Sequence, residues 1–81
     1  MSREEFMQLF SENLRKKMKE AKMTRIKLSK KTGICIQSIS NYTNMHTTPS
    51  IENLINISYA LDCTIDELVD FGDTIEYKKR G

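Results

Sequence analysis

Residues 24–43 read "TRIKLSKKTGICIQSISNYT". Thr24 suits an N-cap, because its hydroxyl can accept from a free amide in the first helical turn. It predicts a short helix over 25–32, with Leu28 and Ser29 turned inward. Gly33 stops that helix, since glycine enters the left-handed conformation without a Cβ clash. Ile34 then drops into the core. A further helix spans 36–43, with Ile39 and Tyr42 a helical turn apart on its buried side. Two very short helices joined by a tight turn at Gly33 form the helix-turn-helix arrangement.

Working outward, Ser2 and Glu5 have the spacing of a capping box. Phe6, Phe10, Leu14 and Met18 then recur every four residues, with Met7 and Ala21 beside them, which predicts an amphipathic helix over 3–22. After the 36–43 helix, "NMHTTPS" is a connecting loop. Ser50, behind Pro49, caps a fourth helix whose inner face is Ile51, Leu54, Ile57, Ser58 and Leu61. Thr64 and Glu67 form a second capping box. It opens a fifth helix over 65–71, with Ile65 and Leu68 inward and Gly72 as its stop. The expected organisation is all-α with five helices: one domain over 1–72, the motif at 24–43, and a C-terminal tail over 73–81.

The chain has 81 residues, 38% hydrophobic and 30% charged, with three glycines and one proline. Such a composition fits one small helical domain with short connections. No apolar run approaches the roughly 18 residues that span a bilayer. "MSREEFMQLF" lacks a basic start followed by an apolar stretch, so it does not read as a secretory signal. The expected location is therefore cytoplasmic, with Cys35 and Cys63 as reduced thiols. Formal charge is +2 in total but strongly segregated. Residues 1–34 carry ten basic side chains against four acidic ones, whereas 62–81 carry three against six. A basic half of this kind points to a polyanionic partner. From Thr32 to Ile51, by contrast, there is no Lys, Arg, Asp or Glu.

The pattern Thr24-Arg25-x-x-Leu28-Ser29-x-x-x-Gly33-Ile34-Cys35-x-x-x-Ile39-Ser40-x-Tyr42, followed by Pro49-Ser50-x-x-x-Leu54-x-x-Ile57 and Ala60-Leu61, resembles the phage-repressor (Cro-like, Xre) helix-turn-helix family. The resemblance covers roughly residues 10–70. It implies a five-helix, lambda-repressor-like DNA-binding domain. Arg25 stands where the family often has Gln, and Ser29 replaces a small Ala, adding a hydroxyl that needs a partner. Cys35 replaces the Ser or Thr that caps the recognition helix, which weakens the cap. Its place at a helix N-terminus should also lower the thiol pKa. Met45 occupies a position where Gly is common, so Asn44 is expected to take the positive φ of that turn.

In this family the second helix of the motif enters the major groove of double-stranded DNA. Base edges are read by hydrogen bonds, a task that suits neutral amides and hydroxyls. The resemblance places Ile36, Gln37, Ser38 and Asn41 at base-reading positions. Gln37 can bond adenine through N6 and N7, and Ile36 can meet a thymine methyl. Arg25, at the start of the 25–32 helix beside its cap Thr24, is placed on phosphate. Asn44, His46, Thr47 and Thr48 resemble the loop that touches the backbone after the recognition helix. Cations kept off the reading face hold phosphates without gripping every sequence alike.

No acid–base constellation accompanies the single His, so no enzyme is expected. Cys35, Cys63 and His46 lack metal-site spacing, and no cofactor is expected. The function that follows is a sequence-specific transcriptional regulator, a repressor, acting as a homodimer on a near-palindromic operator. Val69, Phe71, Ile75 and Tyr77 are the expected dimer contacts. The alternative is an antitoxin-like protein-interaction module that uses the same fold, with its acidic fifth helix and tail as the surface.

Overall fold

The computed structural model describes residues 2–70, and these form five helices with no strand among them. Helix α1 spans Arg3–Glu20, α2 Arg25–Thr32, α3 Ile36–Thr43, α4 Ile51–Ala60 and α5 Ile65–Leu68. Every start carries the expected cap residue. Ser2 Oγ accepts from the Glu5 amide at 3.1 Å while Glu5 Oε1 accepts from the Ser2 amide at 2.9 Å. Thr64 and Glu67 exchange the same pair of bonds at the start of α5. Thr24 and Ser50 accept from Lys27 and Asn53 amides at 3.1 Å each. Each bond satisfies one of the amides that a helix start leaves unpaired.

The core gathers one stripe from each helix. Phe10, Leu14 and Met18 of α1 meet Leu28, Ile34, Ile39 and Tyr42 of the motif, and Leu54, Ile57, Leu61 and Leu68 close the far side. Phe10 stacks near-parallel on Phe6 and edge-on against Tyr42, with ring centroids 6.1 Å apart in both pairs. Helix α3 packs on α1 and α2, α2 also packs on α4, and α5 bridges α1 and α4. The buried hydroxyls are paired: Ser11 Oγ donates to the Thr43 carbonyl at 2.7 Å and Ser58 Oγ to the Ile55 carbonyl at 2.8 Å.

Several boundaries and facings differ from the expectation. Helix α1 ends at Glu20 rather than 22, because Lys22 adopts φ +55°. The Met23 amide then reaches the Met18 carbonyl at 2.8 Å and the Lys22 amide the Lys19 carbonyl at 3.1 Å, a Schellman closure. Ala21 is exposed in consequence. Met45 and Asp62 close α3 and α4 in the same way, with φ +63° and +54°. The positive φ expected at Asn44 thus falls on Met45, while Asn44 itself has φ −101°.

Helix α5 stops at Leu68, because Asn13 of α1 donates to the carbonyls of both Leu68 and Asp70 at 3.0 Å. Ile51 and Ile65, expected inward, are exposed. Both occupy the first helical position, and a Cα–Cβ bond tilted toward the helix N-terminus carries such a side chain past the end of the core. Val69 is half-buried. Phe71, the stop at Gly72 and the tail 73–81 with Ile75 and Tyr77 lie outside the described residues.

A lysine in the left-handed region carries a steric cost that glycine lacks. Lys22→Gly should therefore raise stability by about 0.5–1 kcal/mol, the steric gain being partly offset by the freer unfolded chain. Lys22→Ala should give no such gain. Urea melts of the three proteins test this, and a Lys22→Gly variant no more stable than Lys22→Ala would contradict it.

Candidate nucleic-acid interface

The geometry of the surface is set by the turn between α2 and α3. Gly33 takes φ +79° and its amide bonds the Ser29 carbonyl at 2.9 Å. A Cβ built there would meet nothing within 4 Å, so backbone conformation alone favours glycine. Two hydroxyls brace the turn. Ser29 Oγ donates to the Ile34 carbonyl at 2.7 Å, which supplies the partner its departure from Ala required. Thr32 Oγ1 donates to the Leu28 carbonyl at 2.7 Å and accepts from the Ile34 amide at 3.1 Å. Ile34 is thereby pinned through both its amide and its carbonyl, with its side chain buried.

Helix α3 is then held along its length. Ile39 is fully buried, and Tyr42 is buried with its hydroxyl accepting from Asn53 Nδ2 of α4 at 2.9 Å. At the C-terminal end, Ser11 of α1 takes the otherwise unpaired carbonyl of Thr43, while Thr43 Oγ1 donates to the Ser40 carbonyl at 3.0 Å. Sequence reasoning did not find Ser11, Asn53 or Thr32. Ser11 and Asn53 act across 32 and 11 residues of chain, which no local spacing reveals, and Thr32 acts within the turn itself.

What α3 leaves outside is neutral. Ile36 and Gln37 are exposed, and Ser38 and Asn41 half-buried. Gln37 Nε2 donates to Asn41 Oδ1 at 3.2 Å, so these two candidate readers share one face. Cys35 is the N-cap and makes no capping bond. Its exposed Sγ lies 3.3 Å from Ser38 Oγ. That hydroxyl, and next the Ser38 and Gln37 amides, hold the Cys35 thiol below its ordinary pKa. The half-buried Cys63 is displaced the other way, by desolvation first and the nearby Glu67 carboxylate second. Among the described residues no group of His, Cys, Asp and Glu is arranged to hold a metal.

The expected phosphate-contacting residues fall on both sides of this face in sequence. Thr24 caps α2 and Arg25 is its exposed first residue. The Schellman closure at Met45 turns the chain away from α3, with the His46 amide on the Asn41 carbonyl at 2.8 Å. Asn44 and His46 are exposed there, and Thr47 and Thr48 half-buried. Lys27, Lys30 and Lys31 of α2 are also exposed. Along the chain, the neutral face of α3 thus lies between cationic and hydrogen-bonding segments. No described helix is long and apolar enough to cross a membrane.

Comparison with known proteins bears on this surface directly. Residues 13–73 match the family described as the Cro/C1-type HTH DNA-binding domain. The chain is 38% identical over 61 residues to the uncharacterized HTH-type transcriptional regulator YqaE of Bacillus subtilis strain 168. It is 36% identical over 62 residues to Repressor protein C2 of Salmonella phage P22. These alignments cover 75% and 76% of the present chain but 53% and 29% of the relatives, so it spans about half of one and under a third of the other. No solved structure matches significantly.

The empty cap at Cys35 yields a prediction. A serine there should accept from the Ser38 amide as Thr24 and Ser50 do in α2 and α4. Cys35→Ser is expected to raise stability by about 0.5–1 kcal/mol. Thermal melting decides the matter: a serine variant melting below the wild type would mean that the thiol contributes packing the exposed position does not indicate.

Proposed function

Because this chain belongs to the Cro/C1-type helix-turn-helix DNA-binding family, we propose that it is a sequence-specific transcriptional repressor that docks α3 in the major groove of double-stranded operator DNA. The observation that carries the reading is the α3 surface itself. It is exposed, uncharged and rich in hydrogen-bonding groups, on a helix clamped from α1, the turn and α4. Ile36, Gln37, Ser38 and Asn41 face base edges, where neutral donors and acceptors discriminate between pairs. Thr24, Arg25, Asn44, His46, Thr47 and Thr48 contact the phosphate backbone and fix the register of α3. Repression follows from occupancy, since a protein seated in the groove excludes others from the same duplex. The similarity to Repressor protein C2 supports this direction of regulation.

The protein works as a homodimer. One short recognition helix covers about four or five base pairs, too few for a unique address, whereas two related by a twofold axis read a near-palindromic site. The α4–α5 side supports such pairing. Tyr59 is 80% exposed there, close to the exposed Ile65, and with Ile55 and Cys63 they line an open hollow of about 490 Å³. Contiguous exposed apolar groups of this kind mark association surfaces.

Two measurements test these statements. Affinity should fall with salt at a log–log slope of roughly −4 to −7, as expected for about four to eight phosphate contacts per dimer. Arg25→Ala should weaken all sequences alike and flatten that slope; a variant with altered sequence preference and an unchanged slope would place Arg25 on bases instead. Sedimentation of the complex with a selected operator should give two chains per duplex, and one chain per duplex would remove the dimer.

A further inference from the structure

Tyr59 projects from α4 between two hollows. On one side Ile55, Cys63, Thr64, Ile65 and Asp66 line the larger hollow, shared with α5. On the other side Lys31, Thr32, Asn56 and Ala60 line a smaller one of about 240 Å³, shared with α2. The helical period accounts for the division: around α4, Ile55 and Ser58 lie to one side of Tyr59, and Asn56 and Ala60 to the other. Both α2 and α5 pack on α4, so the two flanks of the ring are held at a set separation.

Opposite charges follow the same division. Asp66 edges the larger hollow and Lys31 the smaller, and both side chains are exposed. Neither has an ion-pair partner among the described residues. Lys31 in the last turn of α2 and Asp66 in the first turn of α5 each complement a local helix dipole. That explains each charge singly, but not their placement on opposite flanks of one exposed ring. A surface with an apolar knob, a hollow beside it and opposite charges on its two flanks is its own complement under a twofold rotation. With the axis between Tyr59 and the larger hollow, each ring falls over the other copy's hollow. The same rotation carries each Asp66 to the flank of the other copy that holds Lys31. A uniformly acidic or basic partner would match one flank and be repelled at the other.

We propose that two copies of this chain pair isologously across α4, each Tyr59 seated in the other's α4–α5 hollow and each Lys31 set against the other's Asp66. This rests on the homodimer proposed above and adds to it the symmetry of the contact, its central ring and a charge pair that fixes its register.

Pairing is measured in two ways with the full chain. Sedimentation equilibrium reports it in the free protein. On DNA it is the ratio of affinities for a selected operator and for one isolated half-site, which cancels each chain's own phosphate contacts. Lys31→Glu and Asp66→Lys should each weaken pairing by at least about tenfold, because like charges then meet at both symmetry-related contacts. An equimolar mixture of these two variants should regain pairing to within about threefold of wild type, since every contact again joins opposite charges. Tyr59→Ala should weaken pairing by at least about tenfold, as loss of a central aromatic does. It should leave the melting temperature of the dilute chain near that of wild type, because the side chain removed is 80% exposed. Unchanged pairing in any single variant, no recovery in the mixture, or assemblies of more than two chains would each overturn the proposal. A wild type that neither associates when free nor binds the operator more tightly than the half-site would instead refute the homodimer itself, a distinguishable result.

Discussion

Ile34 is the residue on which the arrangement of this molecule turns. It is the only buried side chain between α2 and α3, and it sits where the chain must reverse within three residues. Burying its side chain brings its peptide groups with it, and unpaired peptide groups in a core are costly. The two helices provide the partners from their own side chains, Thr32 for the amide and Ser29 for the carbonyl. Gly33 supplies the left-handed backbone that lets α2 end in time. Without that set of bonds the apolar anchor and the sharp turn would be incompatible, and α3 would have no defined angle to α2.

An eight-residue helix has little stability of its own. Helix α3 must take its order from outside, and it does so at three separate levels. Its start is set by the braced turn, its middle by Ile39 and Tyr42 in the core, and its end by the Ser11 hydroxyl on the Thr43 carbonyl. The Asn53–Tyr42 bond adds α4 to the clamp. This matters for recognition because a base-reading amide placed on a loosely held helix would lose the directionality that hydrogen bonds require. The missing cap at Cys35 is tolerable for the same reason: tertiary contacts, rather than local capping, keep the helix formed.

Much of this was legible in the sequence, because the legible parts are local. Caps and their capping boxes act over three residues, and four helix starts were readable from Ser2, Thr24, Ser50 and Thr64, that of α3 following from the turn at Gly33. The inward stripe of α1 follows from four-residue spacing. What escaped depends on position along a helix or on distant chain. Ile51 and Ile65 match the apolar period but stand at first helical positions, where side chains overhang the end of the core. Ile36 shares that position and is 44% exposed, so its exposure has a geometric cause before it has any functional one. The positive-φ closures that follow α1 and α3 fall at Lys22 and Met45, residue types that give no sign of positive φ. The clamp residues Ser11 and Asn13 act across 32 and 55 residues of chain. Of the candidate site, the proposed readers on α3 were nameable from sequence because they lie within two turns of one helix. The residues that aim them were not.

The separation of charge along the chain gains its meaning from this division of labour. Coulombic attraction to a polyanion is long-ranged and indifferent to base identity, so cations on the reading helix would raise binding to every sequence by a similar factor. Discrimination comes only from groups whose bonds fail when the base is wrong. Among the described residues the Lys and Arg side chains stand on α1, α2 and the turn between them, and α3 with its following loop has none. Lys17 of α1 is tied to the fold, paired with Glu20 at 3.5 Å and Glu67 at 3.7 Å. Desolvation works to lower its pKa, but the two carboxylates prevail and raise it. The exposed Arg25, Lys27, Lys30 and Lys31 of α2 are free of any such pairing among the described residues. They lie on the helix that the braced turn at Gly33 and its packing hold against α3, so these cations and the neutral α3 face keep one relative placement. In the proposed complex, docking α2 on phosphates would therefore bring α3 to the groove at a set depth and angle, which a short, uncharged helix could not achieve by itself.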